Sequence, residues 1–304
     1  MKVVLLSGGG GGARFARGLQ AALSPGELTV VGNVADDVEI LGLHVSPDLD
    51  SLLYALAGLI DDERGWGRVD ETWNALASAS SFDGEDWFRL GDRDLGLHLV
   101  RTQRLRAGEP LSAVTAGLCE RAGLDARILP ATDDRLRTRI LTPAGPFPFQ
   151  EWFVRRGHVH DVDGVEYEGA TTARPAPGVL DALERADAIV FAPSNPYLSI
   201  RPILAVGGIR GAIETRTARC IAVSPLVGGK AVAGPLDRML SRMAGGTTPA
   251  HVADRYEGLI DALVIDAEDA PADAPVDLVV ARTRMSGRED ERALAEVALE
   301  AACA

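Results

Sequence analysis

The fold is decided by the segment VVLLSGGGGGAR at residues 3–14. Residues 3–6 form a short apolar run of β type, glycines fill positions 8–12, and apolar residues recur with helical spacing over 13–23. A strand, a glycine turn and a helix in this order open a Rossmann-like sheet. The sequence therefore predicts an α/β fold with a doubly wound, mainly parallel sheet.

The rest of the chain repeats this alternation of strand and helix, which favours one Rossmann-like domain over residues 1–304. Between about residues 61 and 122 the pattern is mostly helical, so we expect a helical insertion beside the sheet. Further β-type runs are Leu28–Asn33, Arg127–Leu129, Thr138–Thr142, Ala188–Ala192, Cys220–Val223 and Leu263–Ile265, and further helical patterns are 178–185, 235–243, 249–259 and 289–302.

Composition limits the classes of partner. The 304 residues carry 31 Lys and Arg against 44 Asp and Glu, a net charge of −13, which argues against nucleic acid or an anionic membrane as the main partner. All but two of the basic residues are arginines, which suit bidentate recognition of phosphate. The three cysteines show no metal-ligand spacing, and no apolar stretch is long enough to span a bilayer. We therefore expect a reduced, cytoplasmic protein without a membrane anchor.

The glycine run at residues 8–12 has two interpretations. Glycines let backbone amides approach a ligand closely, and a helix N-terminus attracts negative charge, so the run predicts a phosphate or diphosphate site. The alternative is a tight turn with no ligand, because such turns recur across α/β folds. A dinucleotide fingerprint does not fit, since Asn33 stands where an acidic residue would end the second strand.

Four aspartates form a second candidate site, with His44 between the two pairs; they are Asp36, Asp37, Asp48 and Asp50. The crossing from the second strand to the next helix would bring both pairs to one edge of the sheet. Carboxylates beside a phosphate site predict Mg²⁺, which takes oxygen ligands and commonly bridges protein carboxylate to substrate phosphate. The alternative is a solvated turn followed by a helix with Asp48 as its N-cap.

Two further segments are candidates for ligand contact. Residues 87–94, WFRLGDRD, have the composition of a pocket for a flat polar ring, although Trp87 and Phe88 also suit a core. Ser194-Asn195 follows an apolar strand and so lies where open α/β sheets bind ligands, unless it is a plain loop. His98 shares a helical pattern with Arg101 but has no identifiable partner. No triad or carboxylate pair for covalent catalysis can be assembled.

Taken in order, these segments resemble the 2-phospho-L-lactate transferase family (CofD, or FbiA in actinobacteria), which makes the deazaflavin coenzyme F420. The matching pieces run almost from end to end of the chain. They are the glycine run through Arg14, Asn33 with Asp36-Asp37, Gly42-Leu43, Pro47-Asp48-Leu49-Asp50 with Tyr54, WFRLGDRD from Trp87, Arg101-Thr102, Leu105-Arg106, ILPATDDRLRTRI from Ile128, FQEWFVRR from Phe149, PSNPYLSI from Pro193, SPLVGGKAVAGP from Ser224, and Tyr256–Asp266.

The resemblance implies a Mg²⁺-dependent transfer of a 2-phospholactyl or phosphoenolpyruvyl group from a guanylylated diphosphate donor to Fo (7,8-didemethyl-8-hydroxy-5-deazariboflavin), with release of GMP. It places Asp50 at the metal and the Fo hydroxyl, Asp37 in support of the metal, and Arg89 against Fo. It also implies a homodimer. The diphosphate and guanosine would be held by Gly10, Gly11, Gly12, Arg14, Ser194 and Asn195.

Two departures from the family pattern favour a related group, the YvcK-like proteins, which are thought to bind nucleotide-sugars and to regulate without catalysis. The departures are the unbroken run of five glycines and Ala35 in place of glycine. Those proteins continue with a Gly-Ser-Ser-Gly stretch, whereas this chain continues with residues 38–42 and supplies Pro47–Asp50. The transferase is therefore the prediction, the nucleotide-sugar regulator is the alternative, and the acid carried by the donor stays open.

Overall fold

The computed structural model describes residues 1–304 and is built around a seven-stranded sheet. The strands in chain order are β1 (Val3–Ser7), β2 (Leu28–Gly32), β3 (Val38–Ile40), β4 (Leu43–Val45), β5 (Arg127–Pro130), β6 (Arg137–Thr142), β7 (Gly145–Pro148), β8 (Gly164–Glu168), β9 (Ala188–Phe191), β10 (Arg219–Val223), β11 (Leu226–Val227), β12 (Lys230–Ala231), β13 (Ala262–Asp266) and β14 (Asp277–Ala281).

Eleven α-helices surround the strands, and none of them combines the length and apolar character that crossing a membrane requires. They are α1 (Gly9–Ala22), α2 (Pro47–Leu56), α3 (Asn74–Ser80), α4 (Asp92–Arg106), α5 (Leu111–Arg121), α6 (Val179–Glu184), α7 (Arg201–Leu204), α8 (Ile209–Glu214), α9 (Leu236–Ala244), α10 (Pro249–Ala253) and α11 (Arg288–Cys303).

The central sheet has the strand order β14-β13-β10-β9-β1-β2-β5, and each neighbouring pair is parallel. From β1 the chain first builds outward through β2 to β5, and later returns to add β9, β10, β13 and β14 on the other side. The order therefore reverses between β1 and β9. At such a switch point, ligands bind in the crevice outside the carboxyl ends of the strands. The predicted Rossmann-like, doubly wound α/β fold is confirmed.

The central strands are covered on both faces. In β1, Val3 and Leu5 belong to one hydrophobic core, together with side chains of α1, α2 and α11. Val4 and Leu6 belong to the core on the other face, with side chains of α6, α8 and α9. Successive side chains of a strand point to opposite faces, so a strand buried between two helical layers reads as a continuous apolar run. This is why the apolar run at residues 3–6 was enough to predict a strand in the middle of the sheet.

Some elements differ from the sequence predictions. The predicted strand at 138–142 exists as β6, but it pairs with β7 and β8 in a separate antiparallel sheet. The edge strand β14 and the β3–β4 hairpin were not predicted. The hairpin turns through Leu41 and Gly42, both with positive φ, and such a turn lacks the usual Asn-Gly signal. Residues 61–122 contain α3, α4 and α5 and no strand.

Helix α1 starts earlier than predicted. It begins at Gly9, so the glycines form its first turn and not a loop before it. The reason for glycine is close packing: a Cβ at Gly12 would lie 2.3 Å from the Ser7 hydroxyl. The prediction of Asp48 as an N-cap was wrong, because α2 begins at Pro47 and Asp48 lies within its first turn.

The contact between α1 and α11 gives a test of this packing. A Cβ at Gly18 would stand 2.2 Å from the backbone oxygen of Glu291, so we expect Gly18→Ala to lower the free energy of unfolding by about 1–3 kcal/mol. Gly96→Ala in α4 is the control, because a Cβ there meets nothing within 4 Å. Urea denaturation measures both. Equal midpoints for the two variants would show that the helices do not pack this closely.

Candidate active site

A cleft of about 660 Å³ opens at the carboxyl ends of the central strands. Residues that follow β1, β9, β10 and β14 line it, so it lies at the switch point of the sheet. Its size falls within the range of roughly 300–1,000 Å³ that is typical of small-molecule sites. Of the predicted site residues, those that line the cleft are Gly10, Gly11, Arg14, Asp50, Arg89, Ser194 and Asn195; Gly12 and Asp37 do not line it.

Two loops meet across the switch point. The hydroxyl of Ser194, after β9, donates a hydrogen bond to the Gly8 carbonyl, after β1, at 2.7 Å. Asn195 uses its side-chain oxygen to cap the following turn, accepting from the N–H groups of Tyr197 and Leu198. The structure thus brings the two predicted segments together. The side-chain oxygen of Asn195 is used to cap the turn that follows it.

The N-terminus of α1 faces the cleft through Gly9, Gly10 and Gly11. The first N–H groups of a helix lack intrahelical acceptors and carry the positive end of the helix dipole. One of them is already used, because the Gly9 N–H donates to Asp48 Oδ1 at 2.8 Å. The remaining amides make this end of the cleft suited to an anion.

A buried acidic cluster adjoins this helix terminus. The Asn33 side-chain nitrogen donates to Asp48 Oδ2 at 2.8 Å and to Asp36 Oδ2 at 3.1 Å. Both aspartates line the cleft. Burial, opposed by the hydrogen bonds from Gly9 and Asn33, raises the pKa of Asp48 to about 6. Burial and the neighbouring Asp48 carboxylate raise the pKa of Asp36 well above its usual value.

Asp50 sits deeper in the cleft against α4. The buried guanidinium of Arg101 donates to both of its carboxylate oxygens, and the bond from Nη1 to Oδ2 measures 3.0 Å. His98 Nδ1 lies 3.8 Å from Asp50 Oδ2. Burial lowers the pKa of His98 to about 4, so this ring is neutral at pH 7. Arg101 is thus the cation that compensates the buried Asp50 carboxylate.

Asp37 points away from the cleft into a neighbouring depression. Its Oδ2 accepts from the Ser46 hydroxyl at 2.9 Å and lies 2.9 Å from His44 Nε2. The structure therefore gathers Asp36, Asp48 and Asp50 along the cleft and leaves Asp37 behind the start of α2.

The residues that sequence reasoning missed are His98 and Arg101. Their spacing of three on one helix was visible, but nothing local indicated that α4 packs its face against Asp50. Asn33 was noted because it is not acidic and because it belongs to the family resemblance, but it was given no role in the site. Its role as donor to two carboxylates depends on the turn after β2, which brings residues 36 and 48 together.

Aromatic side chains line two walls of the cleft. Phe88 and Arg89 form part of one wall, where the Arg89 guanidinium lies 5.1 Å from the centre of the Trp73 ring. On the other wall, Phe149 and Phe153 stack with centroids 5.1 Å apart. Trp87 does not line the cleft and packs edge-on against Phe88. Such walls suit flat ring ligands.

The donor set fits a magnesium ion held jointly by protein and substrate. No group of three or more His, Cys, Asp or Glu side chains forms a metal cage. Mg²⁺ usually binds through one or two carboxylates, waters and substrate phosphates. Asp36 Oδ1 is buried without a hydrogen-bond partner beside Asp48, and a cation would relieve the repulsion between these carboxylates.

The raised pKa of Asp48 predicts a pH dependence of stability. A carboxyl whose pKa is about 6 when folded takes up its proton more readily in the folded state, so stability falls as pH rises through 6. From pH 7 to pH 5 the wild type should gain about 1 kcal/mol of unfolding free energy relative to Asp48→Asn. Urea denaturation of both proteins at the two pH values measures this difference. Parallel pH profiles would exclude Asp48 as the titrating group.

Comparison with known proteins identifies the family. The family model described as 2-phospho-L-lactate transferase CofD matches residues 3–300. Similar proteins are named phosphoenolpyruvate transferase: one from Kitasatospora aureofaciens is 47% identical over 91% of this chain and 88% of its own, and one from Streptomyces coelicolor is 44% identical over 94% and 90%. One from Streptomyces griseus is 43% identical over 99% of this chain and 98% of its own.

Solved structures agree on the fold. A crystal structure of a UPF0052 family member from Bacillus halodurans covers 98% of both chains with a TM-score of 0.65 at 18% identity. A second structure from that organism gives a TM-score of 0.59 at 20% identity, covering 97% of this chain and 90% of its own. At this identity the likeness concerns the fold alone.

The family match and the close relatives together show that this chain belongs to the CofD family of 2-phospho-L-lactate transferases and is a transferase enzyme.

Proposed function

We propose that this enzyme transfers a phosphoenolpyruvyl group from a guanylylated diphosphate donor to the ribityl hydroxyl of Fo, as a step in the biosynthesis of coenzyme F420. The hydroxyl oxygen forms a bond to the phosphorus that carries the enolpyruvyl group, the diphosphate bond breaks, and GMP leaves with the bridging oxygen. The observation that carries the proposal is one cleft that joins a helix N-terminus, buried carboxylates and ring-lined walls. The names of the relatives favour enolpyruvyl over 2-phospholactyl as the transferred acid.

The donor diphosphate is assigned to the N-terminus of α1. Backbone amides of Gly10 and Gly11, with the Arg14 guanidinium, supply positive potential there, and Ser194-Asn195 borders the same end of the cleft. Phosphoryl-type transfer needs charge neutralisation and alignment of the reacting atoms more than it needs a covalent nucleophile. This agrees with the cleft, in which no serine side chain is hydrogen-bonded to a histidine or a carboxylate.

The acceptor Fo is assigned to the wall formed by Phe88 and Arg89, with its hydroxyl towards Asp50. Because Arg101 holds both oxygens of Asp50, this carboxylate is fixed in orientation and suits the positioning of the hydroxyl. We assign acceptance of the hydroxyl proton to Asp50 as well, because a bound metal ion would make that hydroxyl more acidic.

Asp50 and Asp48 are the residues that we propose to hold Mg²⁺, and Asp37 supports them from behind α2 through Ser46. When bound, the ion neutralises charge on the donor diphosphate. The protein side chains orient the hydroxyl and the diphosphate and accept the proton.

The alternative of a non-catalytic nucleotide-sugar regulator rested on the glycine run and Ala35. Packing accounts for both features. A Cβ at Gly10, the middle of the run, would lie 3.2 Å from the Gly65 backbone oxygen, a Cβ at Gly8 would lie 2.7 Å from Asp48 Oδ2, and Ala35 lies in the hydrophobic core. Neither feature therefore favours regulation, and the transferase relatives argue against it.

The donor acid can be tested directly. Purified enzyme is incubated with Fo, Mg²⁺ and the guanylylated enolpyruvyl, lactyl or glyceryl donor, and the products are analysed by mass spectrometry. We expect GMP and a phosphoenolpyruvylated deazaflavin, with the enolpyruvyl donor giving the highest kcat/KM. If no donor yields a modified deazaflavin, the proposed reaction is wrong; if the lactyl donor is preferred, the assignment of the acid is wrong.

Removal of the Asp50 charge should abolish most of the turnover. Asp50→Asn keeps the size of the side chain but loses the carboxylate, so we expect kcat to fall by roughly 10²–10⁴-fold, the range typical of acid–base groups. Trp87→Phe is the control, because this ring does not reach the cleft, and it should keep most of the activity. Circular dichroism confirms that the variants are folded. Turnover within threefold of wild type in folded Asp50→Asn would remove this residue from the mechanism.

A further inference from the structure

The carboxylate of Glu291, in the first turn of α11, lies between two arginines of α1. Its Oε1 accepts from Arg14 Nε at 2.9 Å and from Arg17 Nη2 at 2.8 Å, while Oε2 accepts from Arg17 Nε at 2.8 Å. Glu291 is fully buried. A buried carboxylate is costly unless it is paired and hydrogen-bonded, and the three bonds from Arg14 and Arg17 meet this requirement.

Arg17 fixes the carboxylate from the far side. Its terminal nitrogens donate to Asp62 at 2.8 and 3.2 Å, so each of the three guanidinium nitrogens of Arg17 donates to at least one of two acids. The hydrogen bond to Glu291 raises the pKa of Arg17, and the hydrogen bond from Arg17 lowers the pKa of Asp62. Arg17 therefore holds Glu291 in place, and four of its five N–H groups are used within the protein.

Arg14 is engaged differently. Only its Nε donates to the protein, and its two terminal nitrogens have no protein acceptor. The residue lies one helical turn after Gly10 and Gly11 and lines the cleft beside them. Its side chain is 29% exposed, whereas that of Arg17 is 9% exposed. The free end of the guanidinium is a planar fork of donors, which matches the oxygens of a phosphate.

The backbone fixes the position of this clamp, the hydrogen-bonded set formed by Glu291, Arg14 and Arg17. At Gly18 there is no room for a Cβ, because the Glu291 backbone oxygen would lie 2.2 Å from it. The backbones of α11 and α1 are therefore in close contact at this point, and this contact fixes the position of Glu291 relative to α1. The segment Thr283–Met285, just before α11, also lines the cleft. The start of the C-terminal helix is thus linked to the cleft twice, through the segment that precedes it and through the bond from Arg14 to Glu291.

We infer that Glu291 is a positioning residue: it holds Arg14 through Nε and aims the free end of the guanidinium at the diphosphate of the donor. This inference rests on the proposed function, because it requires a diphosphate at the N-terminus of α1. Glu291 itself does not touch the ligand. An arginine held in this way loses less conformational entropy on binding than a free side chain, so its contribution to affinity depends on the clamp.

A double-mutant cycle with GDP as the probe tests this inference. GDP binding is measured by calorimetry for the wild type, Arg14→Ala, Glu291→Gln and the double variant. We expect Arg14→Ala to weaken binding by roughly tenfold, as for loss of one charge-assisted contact, and Glu291→Gln by roughly fivefold. In the Arg14→Ala background Glu291→Gln should have no further effect, because Glu291 acts only through Arg14. In turnover assays Glu291→Gln should raise KM for the donor more than it lowers kcat.

Glu296→Gln is the matched control, since this glutamate lies on the same helix in an exposed pair with Arg292 and should leave GDP affinity unchanged. Additive effects of Arg14→Ala and Glu291→Gln would overturn the inference, as a merely structural role of Glu291 gives additivity. If Arg14→Ala weakens GDP binding and folded Glu291→Gln does not, the inference fails while the proposed function stands. No GDP binding by the wild type would overturn both.

Arg14→Lys provides the test should Glu291→Gln not fold. Lysine keeps the positive charge but has neither the Nε donor nor the planar fork. We expect it to lose most of the GDP affinity that Arg14→Ala loses. Affinity equal to that of the wild type would show that charge alone is sufficient at this position, and the clamp would then have no role.

Discussion

The site depends on one buried carboxylate and the two groups that hydrogen-bond to it. Asp48 accepts from the Gly9 N–H at the start of α1 and from the Asn33 amide after β2. These contacts connect three segments that are distant in sequence, and they offset the cost of burying the charge. Because Asn33 also donates to Asp36, the same contacts set the spacing of the acidic cluster. Glycine at position 8 follows from this closeness, since a Cβ there would collide with Asp48.

This arrangement places positive and negative potential side by side. The N-terminus of α1 and the free end of Arg14 favour an anion, whereas Asp36 and Asp48 favour a cation. A diphosphate accompanied by Mg²⁺ would satisfy both, so the proposed donor is compatible with a net charge of −13. Arg14 in the cleft and Arg101 behind it are each paired with a buried acid, Glu291 and Asp50 respectively.

The sequence predicted the parts of the molecule that local patterns encode. The apolar run at 3–6, the glycines after it and the later strands at 188–192 and 220–223 were all visible, and so was the sheet edge at which Asp36 and Asp48 meet. The contacts made over long distances were not visible. His98 and Arg101 reach Asp50 because α4 packs against β4, the strand just before α2, and Glu291 reaches Arg14 because α11 packs against α1. Neither contact leaves a signal in the spacing of the residues. Asp36 and Asp37 are neighbours in the predicted acidic cluster, and the resemblance assigned Asp37 to the metal, yet the turn after β2 places Asp36 in the cleft and turns Asp37 away.

The most direct test of the account is a crystal structure of the enzyme with Fo, GDP and Mg²⁺. The account predicts the diphosphate at the N-terminus of α1 within hydrogen-bonding distance of Gly10, Gly11 and Arg14, the deazaflavin ring against Phe88 and Arg89, and its ribityl hydroxyl beside Asp50 and Asp48. A diphosphate bound away from α1, or an Fo hydroxyl that does not reach these carboxylates, would contradict it.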